Sequence, residues 1–167
     1  QPEWERISKN FHCKMIPSSL NENIQLIYSF SSTIGYQGIL SLPGIPDGCL
    51  DIIFNMDGEK NDCYLIPSPK KRMNFQFKTG NSYLGIRLKP LQSVHGFEIS
   101  LKDINTSSIF SLFDIAPKYT TFYEQLLNLN TYEEKNQFIL SSMLFNSGPR
   151  NLRQYELIKN ALSFIYL

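Results

Sequence analysis

Asp51 and Arg87 each interrupt an otherwise apolar run, Asp51 within CLDIIFN and Arg87 within YLGIRLK. Strand alternation puts Leu50, Ile52 and Phe54 on one face and Asp51 and Ile53 on the other, while Arg87 stands between Ile86 and Leu88. A charge buried without a partner is costly, so the two are expected close together on adjacent strands. There they would form either a structural ion pair or the polar anchors of a small-molecule pocket. Tyr28, Tyr64 and Tyr83 are the aromatic residues whose hydroxyls could join them in a cavity, the remaining strand aromatics being core formers.

Other chemistries find little material. His12 and His95 are the only histidines, and neither has a carboxylate or a second His at ligand spacing, so no metal centre is expected. Cys49 follows the turn residues Asp47 and Gly48, where a thiolate could be exposed, but a Cys-His dyad would depend on the fold to assemble it. The ordinary role of Cys49, and of Cys63, is that of a small buried hydrophobe. Neither G-x-x-x-x-G-K nor G-x-G-x-x-G occurs, which disfavours nucleotide chemistry. Lys70-Lys71-Arg72 is the one basic run and reads as a solvated loop. With no His-carboxylate constellation, neither an enzyme nor a cofactor is expected.

The elements that must position Asp51 and Arg87 are short strands. Runs at Ile24–Phe30, Cys49–Asn55, Asp62–Ile66, Asn74–Thr79 and Tyr83–Lys89 are rich in β-branched and aromatic residues and are separated by Gly, Pro, Asn and Asp turn chemistry. No βαβ spacing precedes residue 90, so the pattern predicts an antiparallel sandwich or barrel. Beyond Pro90 the period changes. Leu91–Phe97 and Leu101–Asp103 read as short helical turns, and Pro117 opens a helix with Phe122, Leu126 and Leu129 on one face. Thr131 and Glu134 form a capping-box pattern ahead of a second helix reaching about Phe145. A third helix is expected from about Asn151, and the pattern is still running at Leu167, which suggests a fragment of something longer. The expected whole is an α+β fold with segments 1–90, 91–148 and 149–167.

Sixteen Lys and Arg against fifteen Asp and Glu leave a formal charge of +1 over 167 residues, without the basic excess of a chain that tracks phosphates. Hydrophobic residues at 42% exclude intrinsic disorder. No apolar run approaches the roughly 18–20 residues needed to span a bilayer. The odd set Cys13, Cys49 and Cys63 lacks a C-x-x-C spacing, and with no apolar leader ahead of it the expectation is a soluble cytoplasmic protein with reduced thiols.

The stretch Pro46-Asp47-Gly48-Cys49-Leu50-Asp51-Ile52-Ile53-Phe54, followed by Gly85-Ile86-Arg87-Leu88-Lys89-Pro90, resembles the amino-terminal sensor domain of one branch of AraC-type bacterial transcription regulators. There a P-D-G-x-x-[DE]-[IL]-[IV]-F strand precedes a G-[IV]-R-[FL]-x-P strand, a short helix and a helical pair. Order and spacing match, although Leu91 stands where that family usually has Gly. Tyr155–Leu167 is similar to the first helix of the family's DNA-binding domain. The resemblance implies a cupin-like β-barrel or jelly roll that binds a small-molecule effector, a helical hairpin used to form a homodimer, and promoter DNA held only by a carboxy-terminal helix-turn-helix domain beyond this chain. Candidate dimerisation residues are Phe122, Leu126, Phe138 and Met143, whose alternative use is packing of the hairpin on the barrel. A free-standing cupin-like binding module, a scaffold module and a small non-metal enzyme using Asp51 and Arg87 are the rival readings. A large apolar cavity with Tyr hydroxyls favours the sensor, a filled barrel the scaffold, and an open polar cleft with a shifted carboxylate the enzyme.

Overall fold

Eight short strands carry the apolar runs, and the helices that follow lie across one face of the sheet they make. The computed structural model describes residues 11–17 (backbone only), 21, 23–32, 35, 39–58, 60–90 and 109–145. The strands are β1 (Phe11–Pro17), β2 (Ile24–Ser32), β3 (Leu40–Gly44), β4 (Leu50–Asn55), β5 (Tyr64–Ile66), β6 (Met73–Phe77), β7 (Ser82–Leu88) and β8 (Phe110–Ser111). The helices are α1 (Leu112–Ile115), α2 (Tyr119–Leu127) and α3 (Tyr132–Ser141), with 3-10 turns at Lys60–Asp62 and Met143–Phe145. Six strands form one sheet in the order β1-β2-β7-β4-β5-β8, and β3 pairs with β6 in a second sheet. All these pairings are antiparallel. The fold is therefore α+β, antiparallel sheets followed by helices, and among the described residues no ladder closes the two sheets into one.

The five expected strands are β2, β4, β5, β6 and β7, with ends shifted by a few residues. Three further strands were not anticipated. β3 (LSLPG) contains two residues that break most strands, but among the described residues Pro43 lies in a two-stranded ribbon, whose strands are both edges, and a Cβ on Gly44 would come within 2.3 Å of the Phe75 ring. β8 has only two residues, too few for any period to register. The turns expected at 91–97 and 101–103, the side chain of His12, His95 and the helix expected from about Asn151 lie outside the described residues.

The larger sheet buries both faces. On one, Ile24, Ile27, Ile52, Phe54, Ile86 and Leu88 meet Leu112, Tyr119, Phe122, Tyr123, Leu126 and Ile139 in a single apolar core. Each such side chain contributes about 1.5–3 kcal/mol on burial. On the other face Tyr28, Phe30, Ile53, Ile66 and Tyr83 meet Leu40, Leu42, Phe75 and Phe77 of the small sheet. β4 shows the expected alternation, Leu50, Ile52 and Phe54 towards the helices and Ile53 towards the small sheet.

The helices are anchored by polar contacts as well. The Tyr123 hydroxyl donates to the Asn55 carbonyl at 2.5 Å, and the Tyr132 hydroxyl to the Ile27 carbonyl at 3.3 Å. The capping box of α3 is present: Thr131 Oγ1 accepts from the Glu134 amide at 3.1 Å, and Glu134 Oε2 accepts from the Thr131 amide at 2.9 Å. Two boundaries differ from expectation. Pro117 lies in a turn before α2, and α3 stops at Ser141, the remaining residues to Phe145 making a 3-10 turn.

The assignment of Phe122 and Leu126 to a dimer interface does not survive. Phe122 is 5% exposed and Leu126 fully buried, because their face of α2 packs on the sheet of the same chain. Phe138 stacks on Phe122 at 4.9 Å between ring centroids. Met143 opens the last 3-10 turn, and its side chain is outside the described residues.

Candidate functional site

The chain crosses between the two sheets twice at one corner of the sandwich. From β3 to β4 it turns through Pro46-Asp47-Gly48, and from β5 to β6 it returns through Pro67-Ser68-Pro69. Gly48 has φ +76, a left-handed conformation that costs other residues a steric penalty. Asp47 Oδ1 accepts from the Cys49 amide at 3.0 Å, which closes an Asx turn. Ser68 Oγ accepts from the amides of Asp47 at 3.1 Å and Gly48 at 2.9 Å, so one crossing loop clamps the other.

Register then assembles the charges. On the β4–β7 ladder Asp51 lies opposite Arg87. Arg87 Nη1 donates to Asp51 Oδ2 at 2.6 Å, and Arg87 Nη2 donates to Asp47 Oδ2. The Tyr28 hydroxyl donates to Asp51 Oδ1 at 3.0 Å. Tyr28 belongs to β2, which is separated from β4 by β7, so its ring has to pass over β7 to reach Asp51. The crossing point is Gly85, directly opposite Tyr28. A Cβ there would lie 2.2 Å from Tyr28 Cζ and 2.5 and 2.6 Å from two further ring atoms. A glycine inside a strand is what leaves room for the ring.

Beside this cluster lies a cavity of about 340 Å³ between the sheets, near the small end of the roughly 300–1,000 Å³ typical of ligand pockets. Its polar end is formed by Gln25, Asp47, Asp51 and Arg87, and its walls include Leu42, Ile53, Phe75 and Phe77. The charged side chains are mostly withdrawn from water, Asp51 being 13% exposed, Arg87 21% and Asp47 24%. Burial pushes the Asp51 carboxyl above its ordinary value, more strongly than the Arg87 guanidinium and the Tyr28 hydroxyl pull it down. Burial also works against the charged guanidinium, but Asp51, Cys49 and Asp47 outweigh it and hold Arg87 firmly protonated.

Cys49 is buried, its thiol donating to Gln25 Oε1 at 3.0 Å. Burial pushes that thiol up to about 12, against the lowering influence of Arg87, so the nucleophilic thiolate is strongly disfavoured near neutrality. Cys63 is fully buried, and burial raises its thiol to about 11. The cluster presents charge and hydrogen-bonding groups that can hold a polar group.

Of the five residues singled out as ligand anchors, Tyr28, Asp51 and Arg87 converge on the cavity. Tyr64 and Tyr83 do not line it. The Tyr64 hydroxyl donates to Asp62 Oδ1 at 2.9 Å, and Lys78 pairs with the other Asp62 oxygen at 2.7 Å, in a separate cluster. Tyr83 is 1% exposed, with its ring 5.0 Å from Phe30 and 5.2 Å from Phe77. In both positions the hydroxyl-bearing ring is needed to fill the space between the sheets. Asp47, read from sequence as a turn residue, is a full member of the charge cluster, and Ser68 and Gln25 were not foreseen. The exposed Lys70, Lys71 and Arg72 do form a surface loop.

No family model, curated protein or solved structure matches this chain. Among the described residues no helix is long and apolar enough to cross a membrane.

Proposed function

We propose that this chain is the effector-binding part of an AraC-type transcription regulator, a cupin-like unit that holds a small molecule in the cavity between its sheets. The observation that carries the reading is the convergence at that cavity of Asp47, Asp51 and Arg87, three of the four charged residues of the two motifs that resemble the family. Apolar walls with one Tyr hydroxyl at the polar end are what a sensor needs, whereas a scaffold module would fill this space. The enzyme reading keeps one of its marks, the raised Asp51 carboxyl, but lacks the other, since that carboxyl is tied to Arg87 and Tyr28 beside largely apolar walls rather than set in an open polar cleft.

Regulation would work by linkage. An effector that binds more tightly in one arrangement of sensor and DNA-binding domain shifts the population towards it, and a coupling of about 1–3 kcal/mol changes promoter occupancy usefully. Pairing of two copies, which the family resemblance implies, would have to use surfaces other than the Phe122–Leu126 face. The test is the coding sequence downstream of Leu167. About a hundred further residues with two helix-turn-helix patterns and a basic balance are expected. A stop codon there would overturn the regulator reading and leave a binding module.

A further inference from the structure

We propose that the cavity takes a small organic cation, with its ammonium head beside Asp47 and Asp51 and its apolar body between Leu42, Ile53 and Phe75. This rests on the reading of the cavity as an effector site and adds the chemical class of the effector.

The argument begins with the charge count. Among the described residues, Asp47, Asp51 and Arg87 are the charged ones of the cavity wall, two carboxylates against one guanidinium. Both carboxylates already share that guanidinium, one on each terminal nitrogen. With both carboxylates ionised the group carries one surplus negative charge in a setting largely withdrawn from water, where an uncompensated charge is expensive and a bound cation would hold the ionised form. Lys70, Lys71 and Arg72 do not line the cavity and are exposed, so water and salt screen them from it.

Hydrogen-bonding capacity points the same way. An ionised carboxylate offers about four acceptor sites on its two oxygens. Asp47 accepts from Cys49 N and Arg87 Nη2, and Asp51 accepts from Tyr28 Oη and Arg87 Nη1, one donor on each oxygen. Each oxygen keeps room for a second donor, and an ammonium brings donors and no acceptor. An anion would have to displace a carboxylate from Arg87 and would add a third negative charge. A neutral head group would leave the surplus in place. The rest of the wall is apolar, and the volume admits a molecule of one ring with a short chain rather than a large polyol or nucleotide.

The experiment is calorimetric titration of the wild-type protein at neutral pH with three probes of one shape, phenethylamine, phenethyl alcohol and hydrocinnamate. Phenethylamine is expected to bind at least about tenfold more tightly than the alcohol, equivalent to about 1.4 kcal/mol, and hydrocinnamate more weakly than either. In Asp47→Asn the advantage of the amine over the alcohol should vanish. In Leu42→Trp, which fills the cavity, all binding should be lost. Equal binding of amine and alcohol, or tightest binding of hydrocinnamate, overturns the cation assignment and leaves the effector cavity standing. Absence of binding by all three probes overturns both. The comparison of probes on the wild-type protein decides the matter even if a variant fails to fold.

Discussion

Replacing Gly85 by Ala tests the central geometric claim, that the Tyr28 ring reaches Asp51 by crossing a strand where no side chain stands. The added methyl would sit 2.2 Å from Cζ of Tyr28, far inside contact distance, and the ring cannot stay. Overpacking of this kind costs about 1–3 kcal/mol. Loss of the Tyr28 hydrogen bond to a carboxylate adds about 1.5–3 kcal/mol. Reduced freedom of the unfolded chain returns about 0.4–1 kcal/mol. The net is a destabilisation of about 3 kcal/mol, or a fall of about 6–12 °C in Tm for a chain of this size. Urea denaturation of Gly85→Ala, Tyr28→Val and the double variant completes a thermodynamic cycle. With Val at position 28 the ring is gone, so Gly85→Ala should then be close to neutral, within about 0.5 kcal/mol. An undiminished penalty in the Tyr28→Val background would refute the reasoning, and so would a neutral Gly85→Ala in the wild type.

Arg87→Met removes the cation that both Asp47 and Asp51 share and should cost about 3 kcal/mol at neutral pH. Because burial raises the folded-state value of Asp51 above 3.8, the folded protein keeps that proton longer than the unfolded chain, and this group's contribution falls as pH rises through the interval. The penalty of Arg87→Met should therefore shrink on acidification into that interval, and urea unfolding at two pH values that gave the same cost would contradict it. Thr131→Ala should lower stability by about 1 kcal/mol through loss of the α3 cap. Glu134 is held below 4.5 by the Thr131 amide and then its hydroxyl, so its contribution is present above 4.5 and is lost as pH falls through the depressed value. Glu134→Gln should remove that acid-side loss, as a thermal melt series would show. Phe122→Ala should cost about 3–5 kcal/mol and leave the sedimentation behaviour of the folded protein unchanged. Altered association without lost stability would restore the interface assignment.

Strands were legible where their residues follow the pleat. In β4, Leu50, Ile52 and Phe54 against Asp51 and Ile53 make the period visible, and the cost of an unpaired charge was enough to bring Arg87 to Asp51. The capping box at Thr131 and Glu134 was legible because both halves of that motif are local. What depended on distant partners was not. Pro43 and Gly44 disguise β3, since only its place in a two-stranded ribbon makes Pro harmless and only the Phe75 ring makes Gly necessary. Tyr64 and Tyr83 could not be told from Tyr28 by type, because the choice between filling the core and lining the cavity is made by which ring lies across the sheet. Phe122 and Leu126 sit on an amphipathic face that packs equally well on a sheet or on a second copy, and here the sheet takes it.

The irregularity in β2 shows how one strand serves both the core and the cavity. Strict alternation would put Ile24 on the same face as Leu26, Tyr28 and Phe30. The ladder with β7 instead shifts register between Ile24 and Leu26, pairing Ile24 with Leu88 and Leu26 with Arg87, so Gln25 is the extra residue of a bulge. Ile24 thereby joins Ile27 in the core under the helices, while Leu26 and Tyr28 keep the cavity side. The displaced residue is Gln25, whose side-chain carbonyl receives the Cys49 thiol at the cavity's polar end. Without the bulge, Ile24 would face the wrong side of the sheet, because one residue of register exchanges the two faces of a strand. The bulge is thus placed where the chain must satisfy an apolar core on one side and a charged cavity on the other. A deletion of Gln25 would force one of the two to fail.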